Sequence, residues 1–428
     1  MGSPPGTLPS TQAPPAAALS SPSPAPSSPP NPALEAAIAR TVEFVNERLR
    51  EHYARTDPWM PPRFGRREWG FMYLGKRFVS RHLGFRSREE LQRFLVRDVP
   101  AHAYYSTAYY ETPAAPTMEE KHWLGADLIF DLDADHLPGA AGQPFHELLA
   151  RVRGEAVWLV EEFLLRDFGF SKDDLRIVFS GGRGYHVHVT HPDVLPLGSP
   201  ERREIVDYVT ANGLALDTLV RERAYMQDEF RRKARRAPVL PSADEPGWGG
   251  RLTRAILRRV DALRAMPEEE ALAALLAVPG VGEKRARETL EAVARKQAAS
   301  GEAVSAVLPK PLLERWKQEV AVETAGETDE PVTSDVKRLI RHPGSIHGKT
   351  GLRVTIVPLE NLPAYDPLVD AVAWSEREPP VRVKVGAPDR FRLGGREWDV
   401  AAGEHELPLA AAMFMMLRRK ALFADAPV

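Results

Sequence analysis

The chain has 428 residues, enough for two or three domains or one large domain with insertions, and 43% of them are apolar, enough to bury a sizeable core. Its net charge of −2 gives no global basic field, so any nucleic-acid site must be a local one. The absence of cysteine excludes disulfides, thiolate zinc sites, iron–sulfur clusters and cysteine nucleophiles. No apolar run reaches the length of a membrane span, and the N-terminus lacks the charged-then-apolar order of a signal peptide, so a soluble cytoplasmic protein is expected.

Residues 1–33 are nearly all Pro, Ala, Ser, Gly and Thr, and such a segment buries too little apolar surface to offset its ordering entropy. A disordered tail is expected there. A helical pattern then opens with Leu34, Ile38, Val42, Val45 and Leu49. An apolar strand studded with carboxylates covers Asp127–Asp135, and a long amphipathic helix covers about 145–168. Arg176–Thr190 reads strand, Gly-rich turn, strand. Residues 201–236 read as helical and end in the basic run Arg231, Arg232, Lys233, Arg235, Arg236. A helix-rich insert is expected at 241–300, between a first part of the core at 34–240 and a second at 301–428. The last part holds a strand at Val381–Val385 and a closing helix at Leu409–Leu422. Helices and strands without a regular βαβ repeat predict an α+β fold.

The most informative segment is Ala126–Asp135. Alternate side chains of a strand share a face, so Asp131 and Asp133 point one way, with Asp135 as a further candidate, and Phe130 and Leu132 point the other. Neighbouring carboxylates repel unless a cation lies between them, and hard oxygen donors suit Mg²⁺ or Mn²⁺. Two such ions can clamp the attacking and leaving oxygens of a phosphoryl transfer. The bland alternative is an acidic strand end in solvent. The preceding apolar run favours a buried strand that delivers carboxylates to a rigid place.

In the hairpin Ile177–Val189, Ser180 closes the first strand and Arg183 sits among glycines that let a ligand approach the backbone. His186 shares a face of the second strand with His188. A hydroxyl, a guanidinium fork and an imidazole make a triphosphate cradle of Ser180, Arg183 and His186, whereas His188 alone reads as structural. A second glycine loop, Arg341–Gly351, is not a P-loop: only three residues separate Gly344 from Gly348, and a strand rather than a helix follows. It presents Arg341, Ser345, His347 and Lys349, a set suited to anions. Asp329 and Asp335 supply carboxylates just upstream.

These three segments, in this order, resemble the motifs of the archaeo-eukaryotic primase superfamily, and most of all its archaeal small subunits. The Asp-x-Asp motif is matched by Asp131 and Asp133, Ser-Gly-x-Arg-Gly-x-His by Ser180, Arg183 and His186, and the third motif by an Asp, best placed at Asp329, with the loop Arg341–Gly351. Arg67–Phe71, Tyr105–Pro113 and Leu407–Phe414 are similar to further family elements, and the likeness covers about 35–425 apart from the insert.

The resemblance implies a catalytic core built of a twisted sheet with an RRM-like unit plus an αβ unit. It implies nucleotidyl transfer from nucleoside triphosphates on a single-stranded DNA template. Two ions, Mg²⁺ or Mn²⁺, would be held by Asp131, Asp133 and Asp329, and the phosphates by Ser180, Arg183, His186, Arg341, His347 and Lys349. A primase large subunit is the implied partner. Two departures stand out. Without cysteine, the small zinc knuckle of many members is absent or metal-free, so no zinc is expected. Gly182 occupies a position where some relatives have a second Arg. A repair-type polymerase that extends or fills gaps, and a non-catalytic nucleic-acid-binding subunit, are the alternatives; a broken carboxylate triad would mark the latter.

Within the insert, Leu275–Leu290 resembles a helix–hairpin–helix, whose backbone N–H groups around Gly280 and Gly282, with Lys284, could receive a DNA phosphate. The alternative is a glycine turn between two packed helices.

Overall fold

The computed structural model describes residues 32–225, 235–295 and 301–424. The predicted tail lies outside them except for its last two residues, and so do Arg231, Arg232 and Lys233.

The first helix, Pro32–Arg55, buries Val45, Leu49 and Tyr53, spaced by four so that they form one stripe. Strands β1 (Trp69–Met72) and β2 (Ser80–Leu83) follow, then a helix over Arg88–Asp98 whose N-cap Ser87 accepts from the Glu90 amide. Next come β3 (His102–Ser106), β4 (Ala108–Tyr110), β5 (Trp123–Ala126) and β6 (Leu128–Asp133). After the helix Phe145–Trp158 come β7 (Leu175–Phe179) and β8 (Gly184–Val189). Strands β9 (Arg221–Tyr225) and β10 (Arg235–Val239) pair with each other, and β11 (Leu339–Arg341) and β12 (Thr355–Val357) come after the helical region.

Two four-stranded antiparallel sheets frame the site. One has the order β11-β3-β1-β2 and the other β12-β7-β8-β6. Neighbours in both sheets are far apart in sequence, as with β11 on β3 and β12 on β7. Tyr105 of β3 and His188 of β8, both buried, stack with ring centroids 6.4 Å apart, so the sheets meet face to face there. Arg67 ties the strands at this junction. Its Nη1 donates to the carbonyls of Ser106 and Thr107, and its Nη2 to Asp127 at 2.6 Å and to the Tyr109 hydroxyl. The family-like Arg67–Phe71 and Tyr105–Pro113 segments thus meet in one buried network. Arg202 closes it from behind by donating to the carbonyls of Ala126 and Asp127.

The α+β class is as expected from the sequence. Two element predictions need correction. Among the described residues the α-helix expected over 201–236 covers only Ser199–Val209, and β9 and β10 pair antiparallel instead; residues 226–234 lie outside the described residues. Positive φ at Ala211 and Gly213 turns the chain out of the helix, and strand pairing overrides the helical propensity of the charged residues that follow. The closing helix stops at Leu417. Arg419 at φ 61 reverses the chain, and Ala421–Phe423 then pairs with Val383–Val385. The helix expected over about 145–168 runs as an α-helix over Phe145–Trp158 and as a π-helix over Leu159–Leu165, where it ends.

The helices Gly247–Ala265, Glu268–Leu276, Glu283–Ala294, Gly301–Val307 and Lys310–Glu323 enclose a second core that includes Ile256, Val260, Leu275, Leu313 and Val320. Helices on that core continue to Glu323, past residue 300. Arg251 joins this unit to the sheets: its guanidinium pairs with buried Asp167 and lies 3.8 Å from the Phe163 ring centroid.

Candidate active site

Strand β6 alternates as its sequence demands. Phe130 and Leu132 are buried, whereas Asp131 and Asp133 are half-buried on the opposite face. Asp135 is not on that face: the strand ends at Asp133, whose carboxylate accepts from the Asp135 amide, and Asp135 pairs with Arg183 at 2.5 Å on a 3₁₀ turn. In the ladder Asp131 lies opposite His186 and Asp133 opposite Gly184. Gly184 admits no side chain, because a Cβ would run into the Leu132 carbonyl. That close approach sets the β6–β8 register and hence where the carboxylates emerge.

The Asp131 carboxyl is pushed up to about 6, first by burial, then by the Asp133 and Asp329 charges. His186 Nε2 lies 3.6 Å from Asp131 Oδ1. This is no ion pair at neutral pH, since burial together with Arg341 and Arg338 pushes His186 down to about 3. Asp329 heads a short helix, Glu330–Ser334, and its amide donates to the Asp131 carbonyl at 2.9 Å. Asp335 ends that short helix, is exposed, and accepts from the Lys337 amide in a turn.

The two glycine loops, far apart in sequence, are packed on each other. Gly181, at φ 74, leaves room for the His347 Cβ, which a methyl group would approach to 2.7 Å. Thr350 Oγ1 donates to the Gly181 carbonyl at 2.5 Å. Gly182 faces His347 Nε2, 3.1 Å from where a Cβ would stand. The second loop is itself braced: His347 N donates to the Leu352 carbonyl and Gly351 N to that of His347. Ser345 turns inward, donating to the His342 carbonyl, and leaves Arg341, His347 and Lys349 toward the cleft.

One open cleft of about 590 Å³ gathers Asp131, Asp133, Ser180, Arg183, His186, Arg341, His347 and Lys349. Ser180 and His347 are buried in its wall, while Arg183 and Lys349 are exposed. The sequence reading missed Tyr104, Arg338, Thr350 and Arg418, which also line it. Tyr104 had a signal in the family-like stretch around Tyr105; Arg418 had none, because only the fold of the C-terminal segment carries it there. Gly280, Gly282 and Lys284 do not line the cleft. Their turn packs inward through buried Val278 and Val281, and Gly280 abuts Pro311.

Carboxylates and cations thus share one cleft, in which Asp135 is paired to Arg183. A polyanion held by the cations can meet the carboxylates only through a positive ion. Among the described residues no three His, Asp or Glu side chains already surround one point as metal ligands. Yet Asp131 and Asp133 share a strand face, and the Asp329 amide is bonded to the Asp131 carbonyl, so three carboxyl residues gather here, a donor type that fits hard divalent cations. Carboxylate rotamers adjust on ion binding more easily than backbone does.

Residues 130–359 match the family described as DNA primase small subunit. The chain is 44% identical over 391 residues to the DNA primase small subunit PriS of Methanothrix thermoacetophila, spanning 89% of this chain and 98% of that relative. It is 41% identical over 401 residues to PriS of Methanocella arvoryzae, spanning 89% and 98%. To PriS of Halobacterium salinarum it is 39% identical over 386 residues, spanning 89% and 97%. Identity of this extent, with a family match that spans both glycine loops and Asp131 and Asp133, places the chain in the DNA primase small-subunit family.

Proposed function

We propose that this chain is the catalytic subunit of a DNA primase, joining nucleoside triphosphates into short primers on a single-stranded DNA template. The observation that carries the reading is the packing of the Ser180–Gly184 turn against the Arg341–Gly351 loop, in one cleft with Asp131 and Asp133. The fold that supports it is read as the primase core, an RRM-like sheet unit and an αβ unit, with the helical region inserted.

Asp131, Asp133 and Asp329 would hold two Mg²⁺ or Mn²⁺ ions. Bound there, the ions lower the pKa of the attacking 3′-hydroxyl and neutralise charge on the triphosphate. The chain's own residues do the rest by position. Arg183, Arg341 and Lys349 supply fixed positive charge to the phosphates. Ser180 and neutral His186 and His347 offer hydrogen-bonding groups without adding repulsion among the cations. The attacking hydroxyl belongs to the growing chain, so no side-chain nucleophile is required. A large subunit is the proposed partner, and Gly280–Lys284 is read as a packed glycine turn, with DNA contact left to the cleft.

The test is synthesis on circular single-stranded DNA with no primer, with and without a large subunit. Labelled primers should appear in the presence of Mg²⁺ or Mn²⁺. Extension of supplied primers without any started chain would instead mark a gap-filling polymerase.

A further inference from the structure

We propose that His102 is a positioning residue for the phosphate site, a fixed acceptor that holds the Arg341 guanidinium and the Gly348 amide in place for the incoming nucleotide. The proposal rests on Arg341 being a phosphate ligand, as read above.

His102 opens β3, in the other sheet from the carboxylate strand, and is 5% exposed. Two donors converge on its Nδ1: Arg341 Nη1 at 2.7 Å and the Gly348 N–H at 3.3 Å. Neither a guanidinium nor a backbone amide can accept, so Nδ1 must carry the lone pair and Nε2 the proton. The ring is therefore neutral. Burial, with Arg341 and Lys349 nearby, pushes its pKa to about 3 and keeps it neutral across the working range.

The rest of the β3 face completes the clamp. Tyr104, two residues on, lies opposite Arg341 in the ladder, and the guanidinium sits 5.2 Å from its ring centroid. The His347 ring meets the His102 ring edge-on at 5.0 Å. Gly348 is pressed against the start of β3, where a Cβ would stand 2.8 Å from the Ala101 Cβ and 3.0 Å from His102 Nε2. An Arg side chain carries much rotamer freedom, and a bound phosphate would have to freeze it. Here one imidazole and one phenol have already done so. Both groups that Nδ1 accepts from belong to the same loop, so loss of this single acceptor would release a cation and a backbone donor together.

The test uses the full chain in steady-state nucleotide incorporation on a primed template, well below the melting temperature. The variants are His102→Leu, His102→Asn, Arg341→Ala and the double variant His102→Leu/Arg341→Ala. We expect His102→Leu to raise KM for the nucleotide about tenfold while kcat changes little, the loss of roughly one charge-assisted hydrogen bond. His102→Asn, which keeps a short acceptor, should recover much of that loss. In the Arg341→Ala background His102→Leu should raise KM no further, because the two act as one unit. A purely structural role would lower melting temperature and add independently to the Arg341 effect, and that outcome overturns the proposal. So does an unchanged KM in His102→Leu while Arg341→Ala is impaired. If Arg341→Ala itself leaves KM unchanged, the phosphate reading of Arg341 fails, and the proposal falls with it.

Discussion

The Asp329 amide donates to the Asp131 carbonyl at 2.9 Å, which hangs the third carboxylate on the strand that carries the first two. The neighbouring candidate, Asp335, is exposed and engaged in its own turn with Lys337. Asp329→Asn should therefore abolish nucleotide incorporation without lowering the melting temperature, since it removes repulsion from Asp131. Asp335→Asn should keep substantial activity. A dead Asp335→Asn beside an active Asp329→Asn would show that the wrong carboxylate has been placed in the triad.

Lys349 is exposed on the phosphate loop, whereas His347 is buried beneath it against Gly181. Lys349→Ala should raise the nucleotide KM about tenfold with no change in melting temperature, as a charge-assisted contact is lost. Arg183→Ala should act in the same direction, and more strongly given that Gly182 offers no second cation. His347→Ala should lower both affinity and melting temperature, because it also opens a cavity between the two loops. Steady-state kinetics beside thermal melts would distinguish them, and a wild-type KM for Lys349→Ala would remove that residue from the site.

Gly184 has the Leu132 carbonyl where a Cβ would stand. Gly184→Ala must push β8 away from β6 and should cost on the order of 3 kcal/mol, as overpacking at backbone does. Gly182→Ala meets side-chain atoms alone, the His347 ring edge at 3.1 Å and the Ser180 hydroxyl at 3.5 Å, and should fold normally. Urea titration of the two variants would compare them; equal midpoints would show that the β6–β8 spacing is not set at Gly184.

Acid should destabilise the protein earlier than carboxylates alone would. His52, His102, His188 and His342 are buried, and burial lowers each pKa, to about 3 for His102 and about 4 for His342. Between the folded and unfolded values the unfolded chain binds more protons, so each such histidine loses about 1.4 kcal/mol of stability per pH unit below 6.5. Asp131 acts oppositely: its carboxyl, raised to about 6, favours the fold as pH falls from about 6 toward 4. These losses, joined by those at buried His186 and His347, outweigh the gains at Asp131 and Glu155. In metal-free buffer the melting temperature should drop steadily from pH 7 to pH 5, and a flat or rising profile would contradict the buried neutral state of these rings.

The sequence by itself determined the local chemistry. The two-residue period of β6 put Asp131 and Asp133 on one face because a strand's pleat leaves no other choice. The glycines of 181–184 and 344–351 marked backbone that must pass close to something. Composition alone excluded thiolate chemistry. Only the tertiary structure decided what those glycines are close to: the His347 loop for Gly181 and Gly182, the Leu132 carbonyl for Gly184, and the start of β3 for Gly348. It also decided that Asp135 leaves the face to pair with Arg183, that residues 221–225 and 235–239 pair as strands against their helical propensity, that Tyr104 and Arg418 reach the cleft, and that His102 stands behind Arg341. The reason is that periodicity and turn chemistry act over a few residues, whereas the site is assembled by pairings such as β11 on β3, whose energy comes from contacts between segments more than two hundred residues apart.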